Sequence, residues 1–249
     1  MFLVAACATV HFEPRATDGF IERSDDGRRY FVYRPANWSP DKKWPVIVYL
    51  AGADERGDDG VKPTQVGLGP HVWQTHGRFP YVVIFPQCAR GQFWMYKNEE
   101  ARVMKTIDRA IAEDAGDPDR IILTGNSLGG YGTWILGAVH SDRFAALVPI
   151  CGGAAPPRGR PLPPEAPFAK APDPFMAVAQ AIGKTPVWAF HGADDWLVDP
   201  KQTRRLVDDL RKLGNDAKVT IYEDVGHDSW DRAYAEPKLW DWLGQQKRN

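Results

Sequence analysis

The chain has 249 residues, enough for one α/β domain with a substantial core, and its length does not require a second domain. Its hydrophobic content of 43% and charged content of 25% are ordinary for a globular protein, and its formal net charge is −1. Lysine and arginine are scattered, which argues against a nucleic-acid partner or an anionic membrane surface. No apolar run approaches the roughly 18–20 residues of a membrane span.

The amino terminus carries a candidate targeting signal. Residues 1–7 place small residues before a cysteine, as the end of a lipoprotein export signal does, but they lack a basic start and a full apolar segment. We expect residues 1–18 to form an arm or the remnant of an export signal, followed by a single domain over 19–249. An exported protein, periplasmic or lipid-anchored through Cys7, is one expectation, and an irregular arm on a cytoplasmic protein is the alternative.

Strand-like and helix-like segments alternate along the chain, which predicts a mostly parallel sheet with helices on both faces. The sequence Ser-Asp-Asp-Gly separates two short segments that we expect to pair as an antiparallel hairpin at the N-terminal edge. The hairpin strands are predicted at 20–23 and 29–34, and six buried strands at 45–50, 81–85, 120–124, 145–150, 186–190 and 217–222.

Helices are predicted between these strands, and two long loops interrupt the alternation. The helices are expected at 98–115, at 131–139, from an N-cap at Asp199 to Gly214, and from 231 to about 246. The loop at 54–80 has room for one helical turn, and the loop at 152–174 is rich in proline. Both follow the carboxyl ends of strands, where open α/β sheets bind ligands, so we expect them to form the rim of a site.

Residues 125–130 read Gly-Asn-Ser-Leu-Gly-Gly and lie between a predicted strand and a predicted helix. A Gly-x-Ser-x-Gly sequence in that context is typical of the nucleophile elbow of α/β-hydrolases, although an ordinary Gly/Ser-rich turn is the alternative. The elbow would hold the Ser127 hydroxyl clear of the sheet, and its glycines would let strand and helix approach closely. The N–H of Leu128 would then lie at the helix N-terminus, facing a developing oxyanion.

A serine of this kind needs a histidine base, and the order of elements selects one of the six histidines. In α/β-hydrolases the base follows the last strand and precedes the last helix. His227 is the histidine in that place. The other five histidines lie in the N-terminal arm, in the loop before the strand at 81–85, after the elbow helix, or at the end of the strand at 186–190.

The acid that orients the base is expected after the strand at 186–190, where three aspartates compete. Asp199 precedes Pro200 and is better explained as a helix N-cap. Asp194 and Asp195 remain alternatives on physical grounds, since either carboxylate could reach an imidazole from a turn. A second oxyanion donor should come from a backbone N–H in the loop after the strand at 45–50, and Ala53 is the candidate.

Several different short motifs are spread along the chain from residue 19 to the last helix, and together they are far more specific than the elbow alone. They include Tyr-Phe-Val-Tyr-Arg-Pro at 30–35, Glu-Arg-Gly-Asp-Asp-Gly at 55–60, Phe-Pro-Gln-Cys at 85–88, Gly-Gly-Tyr-Gly-Thr-Trp at 129–134, Pro-Ile-Cys-Gly-Gly at 149–153 and Gly-His-Asp-Ser-Trp at 226–230. In these the chain resembles a bacterial α/β-hydrolase family of phospholipase/carboxylesterases and "predicted peptidases", related to the polyhydroxybutyrate-depolymerase and feruloyl-esterase groups. The family's His-Gly-x-x-Asp-x-x-Val pattern falls on 191–198, so the resemblance implies Asp195 as the acid.

The chain departs from the family in the predicted oxyanion loop. The family has His-Gly-x-Gly before Glu-Arg-Gly, whereas this sequence reads Ala-Gly-Ala-Asp at 51–54. A carboxylate at Asp54 would oppose an oxyanion if it pointed inward, so we expect Asp54 to face away and activity to be retained. Cys88 and Cys151 end strands that are not neighbours in the hydrolase sheet, and we expect both as free, largely buried thiols.

The sequence therefore predicts an α/β-hydrolase fold and a serine carboxylic-ester hydrolase with Ser127, His227 and Asp195 as its triad. Small or aryl esters, including hydroxycinnamoyl esters, are the expected substrates, with Trp94, Trp196 and Trp230 as candidate contacts. We expect no cofactor, no metal and no nucleic-acid partner. A peptidase or thioesterase with the same triad is an alternative, as is a hydrolase-fold protein that binds a ligand with little turnover.

Overall fold

An eight-stranded sheet organises the chain, in the order β1-β2-β4-β3-β5-β6-β7-β8. The structure is a computed structural model that describes residues 13–155 and 166–248. The strands are β1 (Phe20–Asp25), β2 (Arg28–Tyr33), β3 (Trp44–Leu50), β4 (Val82–Phe85), β5 (Gly116–Asn126), β6 (Ala146–Ile150), β7 (Trp188–Gly192) and β8 (Lys218–Tyr222).

The pairing of the strands confirms the predicted mostly parallel sheet with an N-terminal hairpin. Strand β1 pairs antiparallel with β2, and β2 pairs antiparallel with β4. From β4 through β3, β5, β6 and β7 to β8, each strand runs parallel to the next one in the sheet. Leu50 lies opposite Gly125 at the carboxyl ends of β3 and β5, so the loops after these two strands meet at one edge.

Seven α-helices are described, and they cover both faces of the sheet. They are α1 (Leu68–Thr75), α2 (Lys97–Glu113), α3 (Leu128–Val139), α4 (Pro174–Ile182), α5 (Lys201–Lys212), α6 (Trp230–Tyr234) and α7 (Pro237–Leu243). Helices α2, α3, α4 and α5 contribute to one hydrophobic layer, and α1, α6 and α7 contribute to the other. None of the helices in the described part of the chain is both long and apolar enough to cross a membrane.

Two helices differ from the sequence expectation, α1 in its length and α4 in its existence. The loop at 54–80 holds the two-turn helix α1 in addition to a 3₁₀ turn at Lys62–Thr64. Helix α4 was not predicted, yet its start is encoded locally. Asp173 accepts hydrogen bonds from the N–H groups of Phe175 and Met176, and Pro174 stands at the first helical position.

Two other helices differ at their boundaries. The predicted last helix is divided into α6 and α7, because Pro237 cannot continue a helix and instead starts the second one. Helix α5 begins at Lys201, one residue later than predicted. The Asp199 carboxylate accepts the Lys201 N–H at 2.9 Å, which accounts for this aspartate as a structural residue at the helix start.

The two described cysteines are free and buried, as expected. Cys88 follows β4 and Cys151 follows β6, and β3 and β5 separate these strands in the sheet. The candidate export signal, Cys7 and much of the proline-rich loop at 152–174 lie outside the described residues.

Candidate active site

The turn between β5 and α3 holds Ser127 in an unusual backbone conformation, with φ 54° and ψ −117°. Its N–H donates to the Ile150 carbonyl at 3.0 Å and lies 3.2 Å from Cys151 Sγ. Packing leaves no room for side chains on either side of the turn. A β-carbon at Gly129 would overlap the carbonyl oxygen of Leu50. This is the strained strand–helix turn that the sequence predicts, and it keeps the serine hydroxyl off the sheet.

His227 lies in the loop between β8 and α6, with its ring between Ser127 and Asp195. Its Nε2 is 2.8 Å from Ser127 Oγ, and its Nδ1 is 2.7 Å from Asp195 Oδ2. Because the carboxylate oxygen can only accept, Nδ1 carries the proton and Nε2 is free to accept one from the serine. The structure thus brings the three residues chosen from the sequence into one hydrogen-bonded chain.

Asp195 is fully buried in the loop after β7, and four donors surround its carboxylate. Oδ1 accepts the N–H groups of Leu197 at 2.9 Å and Val198 at 2.8 Å. Oδ2 faces His227 and also His191 Nε2, at 3.1 Å. Burial alone would raise the pKa of this carboxyl, but hydrogen bonds from His191, His227 and Val198 outweigh it and hold the pKa well below its usual range.

His191 is a residue of the site that sequence order alone did not single out. It is fully buried at the end of β7, and its Nε2 faces both Asp195 Oδ2 and the Val198 carbonyl oxygen at 3.1 Å. Its Nδ1 is 2.7 Å from Thr203 Oγ1, and that hydroxyl donates to the Gly152 carbonyl at 3.1 Å. His191 is therefore a second hydrogen-bonding partner of Asp195 Oδ2, besides His227. The signal for it was the histidine of the His-Gly-x-x-Asp pattern.

The loop after β3 approaches the serine closely. A β-carbon at Gly52 would lie 3.7 Å from Ser127 Cβ and 2.8 Å from Glu55 Oε2. Trp94 Nε1 donates to the Ala51 carbonyl and Arg56 Nε donates to the Ala53 carbonyl, each at 2.9 Å. These contacts hold the loop through the side chains of Trp94 and Arg56. The histidine that the family has at the start of this loop is replaced here by Ala51.

A half-buried carboxylate does lie in this loop, at Glu55 rather than at Asp54. The Asp54 side chain is exposed, as expected, whereas Glu55 folds back on the loop and accepts the N–H groups of Gly52 and of its own residue. Burial raises the pKa of Glu55, an effect that those hydrogen bonds partly offset. Gln87 fixes the following turn, since its Nε2 donates to the Glu55 carbonyl at 2.9 Å.

The three predicted aromatic contacts occupy different environments. Trp94 is buried beneath the oxyanion loop, so it supports the loop and does not line an open pocket, contrary to expectation. Trp196 follows the acid and has 72% of its surface exposed. Trp230 lies edge-on to the His227 ring, with the ring centroids 5.8 Å apart.

Comparison with known proteins agrees with this geometry. The model of the dienelactone hydrolase family matches residues 74–236, well over half of the chain and a span that contains all three residues. The chain belongs to the dienelactone hydrolase family. No curated protein sequence matches it.

Solved structures with the same fold match nearly the whole chain, beyond the residues 74–236 that the family model covers. A thermostable esterase is 28% identical, with a TM-score of 0.74, over 93% of this chain and 64% of its own. The acylaminoacyl peptidase of Pyrococcus horikoshii is 18% identical (TM-score 0.67) over 96% of this chain and 42% of its own. A ferulic acid esterase of Anaeromyces mucronatus is 15% identical (TM-score 0.62) over 91% and 89%. The chain thus spans less than two thirds of the first two proteins, and the α/β-hydrolase fold is common to all.

The lowered pKa of Asp195 gives the folded protein a stability that depends on pH. The fold favours the ionised carboxylate, so this contribution is present above about pH 4, the ordinary aspartate pKa, and is lost as the pH falls below it. We expect the stability difference between the parent and Asp195→Asn to shrink by on the order of 1 kcal/mol between pH 7 and about pH 3.5. Denaturant unfolding at both pH values measures it.

Asp194→Asn is the matched control, because this neighbouring aspartate is exposed. Its difference from the parent should stay nearly constant over the same range. A difference for Asp195→Asn that does not change with pH would contradict the assignment of a depressed pKa.

Proposed function

We propose that the protein is a serine ester hydrolase that works through an acyl-enzyme. Ser127 is the nucleophile, His227 the general base, and Asp195 the acid that orients and stabilises the imidazole. The observation that carries the proposal is the unbroken hydrogen-bonded chain from Ser127 Oγ through His227 to the buried Asp195, at 2.8 and 2.7 Å. Family membership and the esterase among the solved structures support the reaction class.

In the first half-reaction, Ser127 Oγ attacks the ester carbonyl carbon while His227 Nε2 takes the hydroxyl proton. The carbonyl oxygen becomes an oxyanion that the N–H groups of Leu128 and Ala53 stabilise. Leu128 is the first residue of α3, where a backbone N–H has no partner within the helix. His227 then gives its proton to the departing alcohol as the C–O bond breaks. In the second half-reaction, water attacks the acyl-enzyme with His227 again as base.

Replacement of the nucleophile tests this proposal. Ser127→Ala should lower kcat for a p-nitrophenyl ester by roughly 10³-fold or more, because no other hydroxyl in the triad can form the acyl-enzyme. A fluorophosphonate probe should label the parent and leave Ser127→Ala unlabelled. Labelling that persists in Ser127→Ala, or a parent that is never labelled, would refute an activated serine at this position.

The oxyanion loop offers a second test, with two adjacent carboxylates as matched positions. Glu55→Ala removes the acceptor of the Gly52 N–H and frees the loop beside Ser127, so kcat should fall by about tenfold or more, with a smaller change in KM. Asp54→Ala and Asp54→Gly should each keep kcat within about twofold of the parent, since an exposed side chain facing away contributes little.

Both results are read from steady-state kinetics on one p-nitrophenyl ester, with thermal unfolding to confirm that the variants fold. A loss at Asp54 comparable to that at Glu55 would show that the exposed carboxylate also acts on the site. An unchanged kcat in Glu55→Ala would remove Glu55 from the positioning of the loop.

For the acyl group we propose an aryl preference that includes hydroxycinnamoyl esters. Trp196 supports it, since this large ring is mostly exposed directly after the acid and offers a face on which an aromatic acyl group can stack. One of the solved structures with the same fold is a ferulic acid esterase, and ferulic acid is a hydroxycinnamic acid. The likeness of that enzyme to this chain concerns the fold.

Trp196→Ala should lower kcat/KM for methyl ferulate by about tenfold and that for methyl acetate by less than about twofold, because only the aromatic acyl group loses a stacking partner. A p-nitroanilide and a thioester with the same acyl group, assayed beside them, compare ester with amide and thioester cleavage. An equal loss on both methyl esters would argue against an aryl site at Trp196.

A further inference from the structure

The acid of the triad offers one and the same oxygen to two imidazoles. Asp195 Oδ2 lies 2.7 Å from Nδ1 of His227 and 3.1 Å from Nε2 of His191. Nε2 of His191 also lies 3.1 Å from the Val198 carbonyl oxygen. A carboxylate and a carbonyl can only accept hydrogen bonds, so Nε2 of His191 carries a hydrogen and donates it.

Four donors fill the two oxygens of this carboxylate. Oδ1 accepts the N–H groups of Leu197 and Val198, and Oδ2 accepts the two imidazole N–H groups. An ionised carboxylate has about four lone-pair sites, so the group cannot turn without losing one of these partners. The side chains of His191 and Asp195 are both fully buried, so water has no access to replace a lost donor.

The hydrogen bond from His191 matters for the charge of the acid. Burial raises the pKa of Asp195, and the hydrogen bond from His191 is the largest effect that lowers it, ahead of the one from His227. Tyr131 of α3 and Cys151 after β6 also interact with this carboxylate. Burial raises the pKa of both groups well above its ordinary value, so both are neutral near pH 7 and neither offsets the negative charge.

The far end of the His191 ring is tied to the elbow. Its Nδ1 lies 2.7 Å from Thr203 Oγ1 of α5, and that hydroxyl is bonded to the Gly152 carbonyl at 3.1 Å. Gly152 packs tightly on the start of α3, where a β-carbon on it would lie 2.3 Å from the carbonyl carbon of Gly130. The imidazole therefore connects the acid with the helix that begins at the nucleophile.

We propose that His191 is a positioning residue of the reaction, which fixes the Asp195 carboxylate and shares its charge with His227. The inference rests on the proposed function, in which His227 is the general base. Without the His191 donor the carboxylate can move, so the base is oriented less well and kcat falls. The charge of Oδ2 then acts on His227 alone, so the base stays protonated to a higher pH.

Two amide variants separate donation to the acid from mere filling of space. The amide nitrogen of glutamine can take the place of Nε2, and that of asparagine the place of Nδ1. His191→Gln therefore keeps a donor for Asp195, whereas His191→Asn keeps only a group near Thr203. Both replace a buried imidazole with a smaller polar side chain.

His191→Asn should lower kcat for a p-nitrophenyl ester by about tenfold or more and leave KM within about twofold, since a buried residue behind the acid does not touch the substrate. The acidic limb of its kcat/KM profile should move to higher pH by about half a unit or more. His191→Gln should recover most of the lost kcat and keep the acidic limb close to that of the parent.

His140→Asn is the matched control. His140 follows α3, and its Nε2 lies 2.9 Å from Glu100 Oε1, so it is a second imidazole–carboxylate pair outside the triad. This variant should keep both kcat and the pH profile. The exposed carboxylates beside the acid and the base, Asp194 and Asp228, are the same in every variant and cannot cause a difference between them.

A double-mutant cycle with Asp195→Asn tests the route of the effect. If His191 acts through the carboxylate, adding His191→Asn to Asp195→Asn should lower kcat by less than about twofold further. A loss as large as in the parent background would show that His191 acts through general packing, and it would overturn the proposal.

The parent provides a measurement that does not depend on the folding of His191→Asn. In protein labelled with ¹⁵N-histidine, NMR at pH 7 should show Nε2 of His191 bonded to hydrogen, with His191→Gln used to assign the signals. A bare Nε2 on this ring would overturn the proposal, because the donor to Asp195 would be missing.

Fluorophosphonate labelling of the parent separates this inference from the proposed function. If Ser127 is labelled but His191→Asn and His191→Gln have the same kcat and pH profile, His191 is only part of the core and the esterase proposal stands. If Ser127 is not labelled, the proposed function fails, and the role of His191 in it fails too.

Discussion

The contact between the turn at Gly129 and the end of β3 is the constraint on which the rest of the site depends. No β-carbon fits at position 129 against the Leu50 carbonyl, so α3 starts directly over the neighbouring strand. Strands β3 and β5 are paired in register up to Leu50 and Gly125. That pairing places the loop after β3 against the nucleophile, while the Ser127 N–H is tied to Ile150 on the other side. The strained backbone of the serine is therefore held between two neighbouring strands, and its position does not depend on flexible side chains.

A backbone hydrogen bond also joins the two loops that carry the acid and the base. The Asp194 N–H donates to the Val225 carbonyl at 2.9 Å, so the loop after β7 is bound directly to the loop that carries His227. The carboxylate of Asp195 is fixed by two N–H groups of its own loop and by His191 behind it. Because these donors favour the charged carboxylate, the imidazole of His227 faces a permanent negative charge within a buried environment.

Much of this arrangement was accessible from sequence, and the failures have physical causes. The parallel sheet and the places of Ser127 and His227 follow from hydrophobic runs and from where each residue stands relative to a strand end, whereas Asp195 was chosen on the family's His-Gly-x-x-Asp pattern. Helix α4 was missed because the Asp173 cap and Pro174 that mark its start lie at the end of a proline-rich segment that was read as a loop. The last helix was predicted as one because Pro237, which starts α7, was not taken as a break. Trp94 and Glu55 could not be placed, since their roles depend on contacts between loops distant in sequence. Physical reasoning also left Asp194 and Asp195 unseparated, and the Leu197 and Val198 N–H groups explain why the second is the buried one.

A surface cleft of about 350 Å³ between the start of α1 and helix α6 differs from the triad in how it is built. The reactive geometry rests on backbone atoms and on glycines that leave no room for a side chain, so a substitution at Gly129 would displace the turn. The cleft is formed by side chains on the surfaces of two helices, among them the exposed Gln74, Asp231 and Ala235. Those positions can drift without touching the nucleophile, the acid or the oxyanion loop. Substitutions on these two helices can therefore change the shape and charge of the cleft and leave the geometry of the triad intact.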